Sequence, residues 1–489
     1  MSSFKHLLVL GLISLLTFSC ADEKDPERSP EPETLTGAPD FLVPHYISED
    51  GEPEFDQNRL YAGDYSNLLH AVSIIATVSR ESEYGNEAYR PDLYPDKMQE
   101  RAQQWLSMVG QIDRVFNDDG RISPWLEQRT GVYNSSKDVD LAVYPHLVYA
   151  YHIHHRSGRF EDDVILYNRL NREATNYLVT PGRYLMNQHY RNGAFFHASG
   201  DVDHKSMSYA LGGLHGNAYA WVVWKKPGGQ DNMGVLSEAA LESHMGHSTD
   251  EMVQIYRAVA ETLDESWDDA RAIYDFGDGT TWNLDAIGAM IRGKKAMYDF
   301  LYMFGNEDDA ETARRIFDRT VALLETVAPL AEPWGLPDKI EFTQNGTRAA
   351  SETVTLYYWY QFLNHLGGGY GLDREREGTS MYITTYRDDL FDLIGDLSDN
   401  ALSGALEYHL DNQGRLSTAV NFSDGSIRDD RFSVSTAGMF ITTAGNLYLK
   451  GSAFERASGW DSAPDDIAAR SRLLYDIKFD LMERLEGAL

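Results

Sequence analysis

The chain has 489 residues, of which 42% are apolar, so it is long enough to bury a large core. Acidic residues outnumber Lys and Arg by 76 to 43, and a formal net charge of −33 argues against a nucleic-acid partner, whose phosphates would be repelled. The single cysteine, Cys20, excludes an internal disulfide.

The first twenty residues have the pattern of a targeting segment. Lys5 precedes an apolar run from Leu7 to Phe18, which is too short to span a membrane as a helix. The run ends in Leu16-Thr17-Phe18-Ser19-Cys20, which resembles a bacterial lipoprotein signal. That resemblance implies a signal peptide over residues 1–19, lipidation of Cys20 and an anchor in the outer membrane, with the protein periplasmic or exposed at the cell surface. The alternative is an ordinary signal peptide that is cut nearby.

A polar segment follows the cysteine. From Ala21 to Gly37 the chain is rich in Pro, Glu, Asp, Lys and Ser and has no apolar periodicity, so residues 20–40 are predicted to form a lipidated, disordered tether. Asp22 and Glu23 resemble the export tag of some surface-displayed lipoproteins. Residues 41–489 show no second break in composition and are predicted to form one domain.

That domain contains a sixfold internal repeat. Each unit has a turn glycine, a polar loop, an apolar helix and then an amphipathic helix, a pattern that is clearest between Asp119 and Arg156. Pro145 fits the first turn of the apolar helix of that unit, where its missing N–H costs nothing. The repeated glycines are Gly51, Gly120, Gly193, Gly279, Gly335 and Gly414.

The two helices of each unit have different predicted environments. The apolar helices are predicted over residues 64–80, 145–156, 206–224, 284–303, 351–365 and 434–449. The amphipathic helices are predicted over residues 102–116, 162–180, 249–268, 308–327, 386–409 and 464–485. Glycines that permit close helix contact in the apolar set are Gly212, Gly213, Gly216, Gly288, Gly438 and Gly445.

This alternation predicts an all-α fold, an (α/α)6 toroid of six helical hairpins, because a helix that is apolar all round needs neighbours on every side. The alternative is an open solenoid, whose units are usually shorter and more uniform. The predicted architecture resembles the six-hairpin toroids of many carbohydrate-active enzymes, including glycoside hydrolases, polysaccharide lyases and sugar epimerases. The resemblance lies in architecture and in no sequence motif, and it implies a carbohydrate substrate.

The loops before the inner helices are the expected place for a site. Hydrolysis of a glycosidic bond uses two carboxyl groups, one as acid and one as base or nucleophile. We predict Glu352 as the acid, since the apolar run after it would raise its pKa, and Asp140 as the base, with Asp430 as a substitute for either. The alternative for Glu352 is a place in the first turn of a helix that is capped by Ser351.

Further side chains in these loops are candidate substrate ligands. They are Trp125, Asp138, His197, Asp203, His204, Tyr209, Trp282, Arg348 and Arg431. For Asp138 and Asp140 the alternative is turn and cap chemistry, for the histidines a core or rim position, and for Asp430 a solvated run of charges.

Other functions remain open at this stage. A polysaccharide lyase would use Tyr209 and the histidines, with Lys205, Arg348 and Arg431 neutralising the substrate carboxylate. A glycan-binding lipoprotein without catalysis is a third possibility, and epimerisation or terpenoid dehydration a fourth. We expect a monomer without a cofactor, and no metal site, because the chain has neither an HExxH motif nor a cysteine pair.

Overall fold

A ring of six buried helices forms the centre of the fold. The structure is a computed structural model, and it describes residues 42–56, 58–78, 114–117, 119–129, 132–147, 179–197, 200–225, 237–367, 393, 396–397, 401, 404–444, 477 and 481–485. The helices are α1 (Ala62–Val78), α2 (Val143–Leu147), α3 (residues 179–189), α4 (His204–Lys225), α5 (Glu238–Met245), α6 (Thr249–Ser266), α7 (Leu284–Phe304), α8 (Glu307–Val327), α9 (Leu356–Gly367), α10 (residues 434–444) and α11 (residues 481–485). A 3-10 turn covers Ala328–Leu330 and a π-helical turn covers Ala405–His409.

The inner helices pack side by side in the order α1, α2, α4, α7, α9 and α10. The circle closes between the last of them and the first, because Gly438 of α10 faces the backbone of Asn67 in α1. At the same junction, the hydroxyl of Ser435 donates a hydrogen bond to Asp64. The chain is therefore a closed (α/α)6 toroid, as its repeat predicts, and not an open solenoid.

Short antiparallel strands connect the inner helices. They are β1 (Tyr46–Ile47), β2 (Pro53–Glu54), β3 (Arg59–Tyr61), β4 (Trp125–Arg129), β5 (Val132–Ser135), β6 (Tyr190–Arg191), β7 (Ala194–Phe195), β8 (Trp267–Asp268), β9 (Ile273–Tyr274), β10 (Thr281–Asn283), β11 (Lys339–Thr343), β12 (Gly346–Ala349), β13 (Thr353–Thr355), β14 (Ala419–Asn421), β15 (Ile427–Asp429) and β16 (Phe432–Ser433). The sequence analysis did not predict them, because runs of two to five residues are too short to show a period of two.

The strands pair in a pattern that follows the ring. A strand that leads into one inner helix pairs with a strand from the loop before the next inner helix, as β3 does with β4, β10 with β11 and β13 with β14. The pairing of β16 with β1, which places Tyr46 opposite Ser433, continues this pattern from the last unit to the first. These sheets all lie at the helix ends where the inner helices begin.

The outer helices α6 and α8 lie where the amphipathic pattern predicts them. Each begins with a capping box, formed by Ser248 with Glu251 and by Asn306 with Asp309, which satisfies backbone N–H groups of the first turn. One face of α6 is buried, at Thr249, Met252, Val253, Tyr256, Val259, Ala260 and Leu263. The predicted ranges, 249–268 and 308–327, therefore agree with the observed helices to within two residues.

Glycines allow the inner helices to approach closely. A Cβ at Gly213 would lie 2.8 Å from the Cβ of Tyr144, and one at Gly212 would lie 3.0 Å from the carbonyl oxygen of Ala289. Gly288 and Gly438 also face neighbouring inner helices, so the predicted role is confirmed for these four. Gly293 has the same role, against the backbone of Leu211, and was missed. Gly445 lies outside the described residues.

Several predictions fall outside the described residues. These are the signal peptide, Cys20 and the tether, together with most of the predicted helices 102–116, 162–180, 386–409 and 464–485. The residues from Phe41 onward belong to a unit that is separate from residues 1–40. Among the helices that the structure describes, none combines the length and the apolar character needed to cross a bilayer.

The buried His409 makes the stability of the fold sensitive to acid. Its Nδ1 accepts a hydrogen bond from the Tyr360 hydroxyl at 2.6 Å, and its Nε2–H donates to the carbonyl oxygen of Trp334 at 2.9 Å. Both nitrogens are thus satisfied in the neutral ring, and burial lowers the pKa of His409 from 6.5 to about 4.

We therefore expect the free energy of unfolding to fall as the pH drops from 6.5 to 4. Between these pH values the unfolded chain binds a proton at His409 that the folded chain does not bind. The free energy of unfolding therefore falls by about 3 kcal/mol between pH 6.5 and pH 4. Urea unfolding of wild type and His409→Gln at pH values across the window measures this loss. Equal pH slopes for the two proteins would contradict the assignment.

Candidate functional site

Polar side chains from separate units meet at the end of the ring where the inner helices begin. Asp64 lies in the first turn of α1, Asp285 in the first turn of α7, and Tyr358 in the first turn of α9. Tyr209 of α4 reaches Asp285 of α7, so these helix starts lie at the same end. The N-terminal N–H groups of the inner helices also add a positive potential there.

Asp285 and Tyr209 form a buried pair. The Tyr209 hydroxyl donates to Oδ2 of Asp285 at 2.6 Å, and each residue is 8% exposed. Burial raises the pKa of Asp285, against the opposing effects of the Tyr209 hydrogen bond and of the charge of Lys205. Burial and the Asp285 carboxylate together raise the pKa of Tyr209. Burial therefore makes Asp285 easier to protonate than an ordinary carboxyl group.

Asp338 lies next to this pair. Its Oδ1 accepts a hydrogen bond from the backbone N–H of Thr355 at 2.7 Å, and its Oδ2 accepts one from the Thr355 hydroxyl at 2.8 Å. Thr355 immediately precedes α9, so Asp338 binds the start of that helix from a distant part of the chain. Burial and the neighbouring charge of Asp285 raise the pKa of Asp338 as well.

Asp140 belongs to the same group of charges. Its side chain is exposed and accepts a hydrogen bond from the N–H of Ala142 at 3.0 Å, which confirms the predicted turn chemistry. The charge of Asp140 also contributes to the raised pKa values of Tyr209 and Tyr358, the same two tyrosines that Asp285 affects. Asp140 and Asp285 thus act electrostatically on the same two tyrosine hydroxyls, one carboxyl exposed to water and one buried.

Glu352 is placed differently from its prediction. The helix does not begin at Ser351 but at Leu356, after the strand β13, and Ser351 accepts a hydrogen bond from the N–H of Thr353 within the preceding turn. The Glu352 side chain is exposed, and its backbone carbonyl accepts a hydrogen bond from Phe422. The apolar run that begins at Val354 was expected to bury this carboxyl, and it does not.

The sixth loop does not offer the predicted substitute. Asp430 is exposed at the end of β15, and no hydrogen bond of its side chain to another described residue is recorded. Arg431 pairs with Asp429 at 2.6 Å, and its guanidinium lies 4.2 Å from the centre of the Tyr46 ring. Arg348 likewise pairs across two strands with Glu341 at 2.7 Å. Both arginines are already engaged in exposed ion pairs.

Trp282 and His204 belong to the core and not to an open binding surface. Trp282 is fully buried and stacks on His204, with 4.7 Å between the ring centres. His204 is also buried, and its Nδ1 is hydrogen-bonded to Asp278. The prediction of Trp282 as a sugar platform is therefore wrong, because the ring fills the space beneath the start of α4.

The other predicted substrate ligands differ in their burial and in their contacts. Asp203 caps α4, since its carboxylate accepts a hydrogen bond from the N–H of Ser206 at 2.6 Å. Asp138 accepts a hydrogen bond from the Ser136 hydroxyl, and His197 is exposed at a turn. Trp125 is half-buried, and the guanidinium of Arg59 lies 4.2 Å from its ring centre. Among these, Trp125 is the aromatic side chain, and it is partly exposed.

The arrangement combines an exposed carboxyl, a buried carboxyl and two tyrosine hydroxyls that influence one another electrostatically. The sequence carries no signal that marks Asp285 as buried or Asp338 as half-buried. The local feature that could have indicated the burial of Asp285 is its position, two residues after a strand and in the first turn of a fully buried helix. Within the described ranges, no group of three or more His, Cys, Asp or Glu side chains is placed to hold a metal ion.

Comparison with known proteins does not assign the sequence to a family. No family model matches the chain, and no curated protein sequence matches it. Solved structures of similar architecture include a cellobiose 2-epimerase from Bacillus thermoamylovorans B4167, with 13% identity, 86% of this chain and 94% of that chain covered, and a TM-score of 0.49.

Two further structures have comparable values. A sugar epimerase from a ruminal bacterium has 11% identity and a TM-score of 0.49, and covers 85% of this chain and 92% of its own. An α-1,2-mannosidase from Trichoderma reesei has 9% identity and a TM-score of 0.46, with coverages of 83% and 78%. The likeness is one of helical architecture, and the closed ring itself is assigned from the contacts within this chain.

Proposed function

We propose that this protein is a carbohydrate-active enzyme, and specifically a glycoside hydrolase that uses Asp285 as general acid and Asp140 as general base. The observation that carries the proposal is the buried Asp285–Tyr209 pair at the end of the ring where the inner helices begin, which is also affected by the charge of the exposed Asp140. A protonated Asp285 would transfer its proton to the leaving glycosidic oxygen. Asp140 would take a proton from the water that attacks the anomeric carbon.

A second function, elimination by a polysaccharide lyase, is less well supported. A tyrosine that removes a proton works best with a lowered pKa beside cations, whereas the pKa of Tyr209 is raised by burial and by Asp285. The two arginines expected to neutralise a substrate carboxylate are paired with Glu341 and Asp429. These contacts favour hydrolysis over elimination.

The same charges favour a neutral sugar over a uronic acid. Three carboxyl groups, those of Asp140, Asp285 and Asp338, act on the Tyr358 hydroxyl and raise its pKa together with burial. An additional carboxylate on the substrate would be repelled by the exposed Asp140. We therefore propose a neutral poly- or oligosaccharide as substrate.

A parallel assay tests the proposal. Purified protein is incubated with neutral and uronate-containing polysaccharides, while reducing ends and the ultraviolet absorbance of unsaturated uronates are both followed. Hydrolysis predicts new reducing ends on neutral glycans without that absorbance. Both signals together would indicate a lyase instead, and binding without either signal would indicate a glycan-binding protein.

The proposal includes an envelope location. The signal-like segment before Cys20 supports lipidation of that cysteine, an outer-membrane anchor and a monomeric toroid held on a tether of residues 20–40. We expect Cys20→Ser to lose incorporation of a labelled fatty acid and to leave the membrane fraction of cells. Equal labelling of variant and wild type would show that the anchor is not attached at this cysteine.

A further inference from the structure

A second polar group lies at the junction between the first and last inner helices. We define the seam site as His45, Tyr46, Tyr61, Asp64 and Ser435. It joins the chain before α1, the first turn of α1 and the first turn of α10. The proposed hydrolysis does not use any of these residues.

Asp64 is a buried carboxylate with both oxygens engaged. Its side chain is 2% exposed, its Oδ2 is 2.7 Å from Nδ1 of His45, and its Oδ1 accepts a hydrogen bond from the Ser435 hydroxyl. Because a buried carboxylate without partners would be costly, these contacts fix the ring of His45 in one orientation. Asp64 therefore positions His45.

His45 presents its other edge outward. Its side chain is 31% exposed, and Nε2 has no recorded hydrogen-bond partner among the described residues. The rings of Tyr46 and Tyr61 lie beside it, at centre-to-centre distances of 4.4 Å and 4.8 Å. Both tyrosines are half-buried, and one face of Tyr46 is covered by the guanidinium of Arg431.

The seam site is connected to the proposed catalytic group. Asn67 of α1 donates hydrogen bonds to the Ser435 hydroxyl at 3.4 Å and to the Tyr357 hydroxyl at 3.3 Å. Tyr357 is followed directly by Tyr358, whose hydroxyl is affected by Asp140, Asp285 and Asp338. Both groups thus lie at the end of the ring where the inner helices begin.

We propose that the seam site is a sugar-binding subsite, in which Nε2 of His45 contacts a sugar hydroxyl and the ring of Tyr61 stacks on the sugar. The chemistry matches, because a fixed imidazole edge offers one directed hydrogen bond and an adjacent aromatic ring offers apolar contact. The ligand is a unit of a neutral carbohydrate, so this inference rests on the proposed function.

Substitutions of His45 provide a matched pair of variants. The amide nitrogen of Asn lies near the position of Nδ1, so His45→Asn keeps a donor for Asp64 and removes the group at Nε2. The amide nitrogen of Gln lies nearer to Nε2, so His45→Gln keeps a donor toward the ligand. We expect His45→Asn and Tyr61→Ala each to weaken binding about tenfold, and His45→Gln to weaken it less.

The binding also depends on pH through His45. Burial lowers its pKa, but the hydrogen bond and charge of Asp64, with a smaller contribution from Asp56, outweigh burial and the charge of Arg431, so the pKa is raised above 6.5. Affinity should therefore change above pH 6.5 as the ring loses its proton. Asp64→Asn removes the main stabiliser of the imidazolium, so the change moves to lower pH.

The experiment measures binding of neutral α- and β-linked hexasaccharides by calorimetry, with thermal melting to confirm that each variant is folded. Acylation of His45 by diethyl pyrocarbonate, with and without the hexasaccharide, gives a readout that does not depend on activity. The expected result is weaker binding by His45→Asn and Tyr61→Ala, and protection of wild-type His45 by the sugar.

The outcomes separate the two proposals. If a hexasaccharide binds and is hydrolysed, but the variants bind like wild type and the sugar does not protect His45, the seam site is overturned and the hydrolase stands. If a hexasaccharide binds without being hydrolysed and the variants bind more weakly, the seam site stands and the hydrolase fails. If no hexasaccharide binds, both are overturned.

Discussion

Asp285→Asn is expected to lower the kcat for hydrolysis of a natural glycosidic bond by about 10²- to 10⁴-fold, because it removes the group that protonates the leaving oxygen. The amide oxygen of Asn can still accept the hydrogen bond from Tyr209, so the fold at the start of α7 should be retained. Steady-state kinetics on the glycan found in the assay, with thermal melting of both proteins, measures the effect.

A substrate with a better leaving group tests the role of Asp285 as general acid more directly. A nitrophenyl glycoside departs without proton assistance, so Asp285→Asn should lose much less activity on that substrate than on the glycan. Since burial raises the pKa of Asp285, the alkaline limb of the wild-type pH profile should lie above the ordinary carboxyl range and disappear in the variant. An equal loss on both substrates would assign Asp285 a structural role.

Glu352→Gln is the matched control, because the sequence predicted this residue as the acid and the structure leaves it exposed. The geometry predicts little change in kcat for this variant. Asp140→Asn, by contrast, should abolish hydrolysis while leaving the protein folded, because the water would lack its base. Loss of activity in Glu352→Gln together with an active Asp285→Asn would restore the assignment made from the sequence.

Gly293→Ala is expected to destabilise the ring by about 1–3 kcal/mol, although Ala is the better helix former. A Cβ at this position would lie 2.5 Å from the carbonyl carbon of Leu211 and 2.8 Å from the backbone nitrogen of Gly212. Backbone atoms of two buried helices cannot move apart without opening the contact between α4 and α7. Chemical unfolding of the variant and of wild type gives the difference in free energy.

Gly288→Ala is the matched control for this prediction. It lies in the same helix and is equally buried, but the nearest atom to its added Cβ is Cδ2 of the His365 side chain at 3.0 Å. A side chain can shift slightly where a backbone cannot, so this variant should lose clearly less stability than Gly293→Ala. The reverse order would show that close backbone contact does not limit the packing of the inner helices.

Much of the fold was predictable from local patterns. Helical periodicity is a property of residues three and four apart, so α6, α7 and α8 were predicted with nearly correct bounds. The start of α9 was misjudged by five residues, because a three-residue strand precedes it and such a strand has no period that a sequence can show. The closed ring followed from the count and alternation of helices.

The site was less predictable, because burial and pairing of a carboxyl group depend on residues that are far away in sequence. Asp140 lies in a loop, as predicted, and its role as base stays a prediction, whereas Glu352 was chosen for a burial that the structure does not show. Asp338 was missed, because its role at the start of α9 is visible only when Thr355 lies against it. Trp282 was predicted as a substrate ligand, although it is a core residue.

The sequence by itself determined the sixfold repeat, the alternation of buried and amphipathic helices and the glycines at their contacts, since each of these depends on neighbours within a turn or two of helix. Only the tertiary structure decided which carboxyl groups are buried and what they contact. Tyr209 and Asp285 are 76 positions apart in the chain, and Asp64 and Ser435 are 371 apart. Such pairs form only when the ring closes, because closure brings the starts of separate helices together and removes water from between them.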